Sequence, residues 1–178
     1  MKKYVFPMLL ACILVNGCVK LYTLPDPPPK EEWVDIALEN EDPEIKAKRI
    51  LDAKKAAIQC LGALVSKNWS KALSYMSDNT QAALMAASGG QGPESVFQEG
   101  IALVNGEKRA FDPVGDVFIT NVVDIRDEFA DRKDVENTTR HVFYAVDASE
   151  NAREIIMILE DGKWVLDKPQ LFSALLAP

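Results

Sequence analysis

His141 is the single histidine of this 178-residue chain, in the run Arg140-His141-Val142-Phe143-Tyr144, where strand alternation groups it with Phe143 and Ala145. An imidazole can act as a general base near neutral pH, but it needs an orienting partner, and none is visible from the spacing. His141 therefore reads as a strand-end or surface residue. Asp124, Asp147 and Glu154 lie in or beside expected strands. A carboxylate aimed into an apolar pocket has its pKa raised by desolvation and becomes a usable base, whereas one facing water stays an ordinary surface acid. The surface reading is the default for all three, so no catalytic residue is assigned. One histidine and few cysteines leave only carboxylates to complete a zinc site, and no metal or other cofactor is expected. Arg126, Arg132, Lys133 and Arg140 are interleaved with acids and read as a solvated face. Asn68-Trp69-Ser70 and Asn137-Thr138-Thr139 match glycosylation sequons, a pattern too short to carry weight.

The three cysteines, Cys12, Cys18 and Cys60, have three different settings. Cys12 lies in Tyr4–Val15, an apolar run that follows Lys2 and Lys3 and is too short to span a hydrocarbon core needing about 20 helical residues. Residues 1–17 are thus expected to be a signal peptide. Val15-Asn16-Gly17-Cys18 resembles the lipobox of bacterial lipoproteins, with Asn16 its atypical member. The resemblance implies a diacylglycerol thioether on Cys18, cleavage before it, and acylation of the new amino terminus. Long acyl chains, at roughly 0.8 kcal/mol per buried methylene, would hold the protein on a membrane. A plain secretory leader with a chance cysteine is the alternative. Val19 rather than Asp after the cysteine points, in enteric lipoproteins, to the outer membrane facing the periplasm. Cys60 would then be the only remaining thiol, which excludes an intramolecular disulfide.

The formal charge is -7, and removal of Lys2 and Lys3 leaves 18 basic against 27 acidic residues. Nucleic acid is not an expected partner. Pro25, Pro27, Pro28 and Pro29 favour extended polyproline geometry, so residues 18–41 read as a tether, with a short helix around Trp33 and Ile36.

Asp42-Pro43-Glu44 has the signature of a helix start, and Ile50, Ala53, Ala57, Cys60, Leu61 and Leu64 follow at helical steps. Cys60 therefore reads as core, behaving as a small hydrophobe. Asn68 caps a short second helix with Trp69, Ala72, Leu73 and Met76 inward, and Ser77–Ala87 forms a third. Pro93 opens a fourth, carrying Val96, Phe97, Ile101 and Leu103 and ending near Asn105-Gly106. Strands are expected at Val117–Phe129, Arg140–Ala148, Arg153–Glu160 and Lys163–Asp167, the last two joined by an Asp161-Gly162 type I′ turn. Helices followed by strands give an α+β fold, with N-terminal helices on an antiparallel sheet of about four strands.

A helix ending in a polar residue plus Trp, then an Ala-Leu-Ser helix, then a strand pair closed by Glu160-Asp161-Gly162-Lys163-Trp164-Val165-Leu166-Asp167, resembles the nuclear transport factor 2-like fold. The likeness spans about Pro43 to Lys168 and implies a curved sheet wrapped round helices as a cone with a pocket, placing the domain at 42–178. Gly89–Phe111 departs from the family in giving no clear strand pair, and the ketosteroid isomerase acid-base set has no counterpart here.

Trp69, Phe143, Tyr144, Ile155, Met157 and Trp164 are the residues expected in the core or lining a pocket, together with Leu159. The expected protein is a non-catalytic envelope lipoprotein, membrane-bound through Cys18, that binds a partner protein or a small apolar ligand. An isomerase- or dehydratase-like enzyme with Asp147 or Glu154 as base, and a structural subunit of an envelope assembly, are the alternatives.

Overall fold

A computed structural model describes residues 41–127 and 139–172, all within the compact unit Glu32–Pro178. The leader, Cys18, the proline tether with its expected helix, Phe129, Arg132, Lys133 and Asn137-Thr138 lie outside the described residues.

The first described helix, α1 (Pro43–Val65), begins where its local chemistry dictates: the Asp42 carboxylate accepts from the Glu44 N–H at 2.8 Å, and Pro43 occupies the first turn. Its inward stripe of Ala53, Ala57, Cys60 and Leu64 is fully buried. Mostly small residues on that stripe let the helix lie close to the sheet. Ser66 ends it, its hydroxyl donating to Gly62 O at 2.7 Å, and Lys67 turns the chain with a φ of 57°. Asn68 then caps α2 (Trp69–Leu73) by accepting from the Lys71 N–H, and Ser77 caps α3 (Asp78–Ala87) by accepting from the Thr80 N–H.

The fourth helix is shorter than the spacing predicts. α4 (Pro93–Glu99) stops at Gly100, whose φ of 62° places it in the left-handed region that terminates helices. Ile101 and Leu103, expected on that helix, belong instead to β1 (Ile101–Val104), which pairs with β2 (Glu107–Ala110) through an Asn105-Gly106 turn. Both turn residues have positive φ, 53° and 80°, the requirement of a type I′ hairpin. Gly89–Phe111 thus contains the strand pair that the sequence pattern hid.

The main sheet is an antiparallel meander, β3 (Val122–Arg126), β4 (Arg140–Asp147), β5 (Ala152–Glu160) and β6 (Lys163–Leu166), hydrogen-bonded in that order. The fold is therefore α+β, with helices packed against a curled four-stranded sheet. Register places His141, Met157 and Leu166 in one row and Phe143 with Ile155 in the next. α1 crosses β4, β5 and β6, so these rows and the α1 stripe form the core. Burying a side chain such as Phe143 contributes roughly 1.5–3 kcal/mol. Asp161 and Gly162 have φ of 49° and 76°, as the β5–β6 turn demands.

The expected strand at Val117–Phe129 is confined, among described residues, to Val122–Arg126. Asp112 is the reason. It accepts from the Val114 N–H at 3.0 Å, and Asp116 N–H donates back to Asp112 O, followed by Phe118 N–H to Val114 O. These bonds wind residues 112–118 into helical turns, so Val117 and Phe118 reach the core from a loop rather than a strand.

Candidate functional site

Three helices and a turn meet around an open cleft of about 570 Å³. The last turn of α1 contributes Leu64 and Val65, α2 contributes Trp69, α4 contributes Phe97, and the turn after β2 contributes Pro113 and Val114. Each is positioned by a local device already described: the Asn68 cap sets Trp69, and the Gly100 stop sets Phe97. Their rings stack with centroids 5.6 Å apart and planes 29° from parallel. Behind them Phe97 meets Phe111 at 6.0 Å and Phe111 meets Phe172 at 5.6 Å, a relay of rings running from the cleft into the core.

The segment that follows Pro113 and Val114 is held by two cations. Lys168 Nζ donates to Asp116 O at 2.6 Å and Val117 O at 2.7 Å, and the Arg153 guanidinium donates to Gly115 O and Asp116 O. They satisfy the carbonyls at the end of the 112–118 turns, as cations do at a helix C-terminus. Burial pushes the Lys168 ammonium down to about 8, with the nearby Arg153 charge adding to the effect. A Cβ at Gly115 would meet the side-chain oxygens of Asp112 and Thr120, which would have to move aside.

A second hollow of about 320 Å³ shares Val65, Asp112 and Val114 with the first and extends to Leu61 and Val122. Lys67, Glu99 and Asp112 mark the rim of the larger cleft. The result is an apolar trough edged by charges of both signs, which suits an apolar or amphipathic guest better than a fully charged one. A separate hollow of about 430 Å³ lies between α3, β1 and Phe172.

The six residues named from the sequence are dispersed. Trp69 alone lines the cleft. Phe143, Ile155 and Met157 are fully buried, Trp164 packs against the core at its edge, and Tyr144 lies on the other sheet face with its hydroxyl donating to Glu154 at 3.2 Å. Phe97, Val65 and Val114 complete the cleft without having been singled out as site residues. Phe97 was readable as an apolar helix position, but that signal does not separate a core ring from a cleft ring.

The candidate bases are at the surface. Asp147 accepts from the Ser149 and Asn151 N–H groups and from Asn151 Nδ2, closing the β4–β5 turn, and these bonds hold its carboxyl below the usual range. Asp124 accepts from Ile125 N–H and pairs with Arg126, which also pairs with Glu150. Glu154 is exposed. None projects into an apolar cavity, the condition that acid-base use of Asp147 or Glu154 requires.

His141 departs from its expected surface position. It is 0% exposed, its Nε2 3.1 Å from Asp127 Oδ1 and its ring 4.4 Å from that of Phe143. Pairing of β3 with β4 brings Asp127 to it from 14 residues away, so neither local pattern reveals the other. Burial lowers its pKa, opposed by Asp127 and reinforced by Arg49 and Lys46. Beside it Arg49 and Glu41 form a bidentate ion pair at 3.0 Å, with side chains only 9% and 8% exposed. Cys60 is buried, its thiol 3.9 Å from Ala72 O and pushed up to about 12 by desolvation. Among the described residues no cluster of three His, Cys, Asp or Glu side chains could hold a metal ion, and no helix is long and apolar enough to cross a membrane.

Compared with known proteins, the chain matches no family model, no curated protein and no solved structure.

Proposed function

We propose that this protein is a non-catalytic bacterial envelope lipoprotein, anchored through diacylglycerol on Cys18 and facing the periplasm from the outer membrane, whose domain captures a small apolar ligand in the Trp69–Phe97 cleft. The observation that carries the binding reading is the cleft itself: about 570 Å³, within the 300–1,000 Å³ range common for small-molecule sites. Asp147 and Glu154, the carboxylates an enzymatic reading would need in the pocket, lie at the surface instead. The anchoring half rests on Lys2, Lys3, the short apolar run and Val15-Asn16-Gly17-Cys18. A nuclear transport factor 2-like cone is the family reading we favour, and the β1–β2 hairpin between the helices and the main sheet supports it, because it removes the departure seen in the sequence.

Two experiments test the halves separately. Cys18→Ala should move the protein from the membrane fraction to the soluble fraction of its bacterial host; retention on the membrane contradicts the anchor. Titration of the full-length protein in dilute non-ionic detergent with 1-decanol should give a saturable change in tryptophan emission that Trp69→Ala abolishes. A linear response, or one unaffected by that substitution, contradicts the cleft.

A further inference from the structure

We infer that the face of α1 turned away from the core is a docking seam for an acidic amphipathic helix of a partner protein. Leu51, Ile58 and Val65 are 51%, 49% and 63% exposed on a helix whose opposite side is buried. A surface helix ordinarily carries polar residues there. Seven residues bring an α-helix back to within about 20° of its starting direction, so the three side chains form one line of roughly 21 Å. Half-buried Lys54 and Leu61 fall between them, giving steps of three and four that alternate from Leu51 to Val65. That is the a/d spacing by which one helix receives another. Gly62 adds open space beside the line, where a partner backbone can approach closely.

Charge selects the occupant. Lys48 and Lys55 flank the line and share Asp52 at 2.7 and 4.0 Å, and Lys54 lies within it, giving a basic seam on a chain whose formal charge is -7. Acidic residues flanking a partner's seam would complement it, as charges beside helical interfaces set partner choice. A second copy of this chain does not supply them: antiparallel pairing about Ile58 sets Lys54 and Lys55 against Gly62 and Leu61, and parallel pairing sets lysine beside lysine. A bilayer is a poor match as well, because membrane-surface helices bury a broad apolar sector, whereas this one is a single side chain wide and has Asp52 beside it. Val65 is shared with the cleft, but Leu51 and Ile58 lie outside it. Leu61 lines the smaller hollow beside it, so the seam meets the ligand site at its C-terminal end and is separate from it at Leu51, Lys54 and Ile58.

The test uses the full-length protein in phosphatidylcholine vesicles, with and without phosphatidylglycerol, carrying a photo-cross-linking residue at position 58. Two synthetic helical peptides of about 21 residues, with Leu and Ile at the seam and flanked by either Glu or Lys, are offered at equal concentration. The account expects adducts with the Glu-flanked peptide in about tenfold excess over the Lys-flanked one, and reversal of that preference when Lys48, Lys54 and Lys55 are all replaced by Glu, with circular dichroism unchanged. Equal labelling of the two peptides, no peptide adduct, adducts between two copies of the chain, or lipid adducts that need phosphatidylglycerol would each overturn it.

Discussion

Trp69 stacks on Phe97 at 5.6 Å, so the floor of the cleft is made by two helices that are separated in sequence by α3. The two rings are not equivalent. Phe97 is 3% exposed and belongs to the core, whereas Trp69 is only partly buried and presents a face to the cleft. Truncating Phe97 to Ala should cost about 3–5 kcal/mol of stability through the cavity it leaves, measurable by urea denaturation. Trp69→Ala should cost distinctly less stability and remove ligand binding instead.

His141 makes the fold acid-sensitive. The groups facing it are Asp127 at the end of β3, Arg49 and Lys46 on α1, and Glu41 through its pair with Arg49. Because burial lowers the folded-state pKa, the unfolded chain takes up a proton first as pH falls below about 6.5, and stability declines from there down to the folded-state pKa. The slope from this one group is at most about 1.4 kcal/mol per pH unit. His141→Gln, which keeps a polar side chain without titrating, should flatten unfolding free energies between pH 7.5 and 5.5. An unchanged slope would show that other groups set it.

Ser77 joins α3 to β6. Its hydroxyl donates to Asp167 Oδ1 at 2.6 Å and accepts from the Thr80 N–H at 3.1 Å, while Lys168 N–H donates to Thr80 Oγ1 at 2.6 Å. Ser77 and Thr80 are both buried. Ser77→Ala removes a helix cap and leaves buried groups without that hydroxyl, so a loss of about 1–3 kcal/mol is expected. Calorimetry or denaturant unfolding checks the figure.

Cys60 should be inert in the native protein. Its thiol is fully buried and held near 12, so iodoacetamide at pH 8 should label it only after denaturation. Rapid labelling of Cys60 itself in the folded chain, located by peptide mass, would place it somewhere other than the α1 stripe.

What could be read from the sequence was local. Asp42-Pro43-Glu44, the Ala53–Ala57–Cys60–Leu64 stripe and Asp161-Gly162 act over one or two turns of chain, and each is found where the pattern set it. Ile101 and Leu103 continue the helical spacing of Val96 and Phe97, and only the left-handed Gly100 separates the two elements. Asn105-Gly106 served equally well as a helix stop or a hairpin turn. The His141–Asp127 pair and the turns that Lys168 and Arg153 hold are long-range: they arise from strand register and from a cation crossing 51 positions to Val117 O. The cleft belongs to that class, which is why Trp69 could be named in advance and Phe97, Val65 and Val114 could not.

The turns that carry Pro113 and Val114 should affect binding through their support by Lys168. Lys168→Met removes the donors to Asp116 O and Val117 O while keeping much of the apolar stem. Ligand affinity should fall several-fold, on the order of 1 kcal/mol for loosened support of the Pro113–Val114 turn, with the Arg153 bonds still in place. Equal affinity in both proteins would mean that the 112–118 turns do not contribute to binding.

The most direct test of the cleft is amide chemical-shift mapping of the full-length, isotope-labelled protein in micelles during titration with 1-decanol. The account predicts saturable shifts concentrated at Val65, Lys67, Trp69, Phe97, Gly100 and Val114, and their loss in Trp69→Ala. Shifts centred on the α3–β1 hollow or on the outer sheet face around Tyr144, with the Trp69–Phe97 cleft silent, would contradict it.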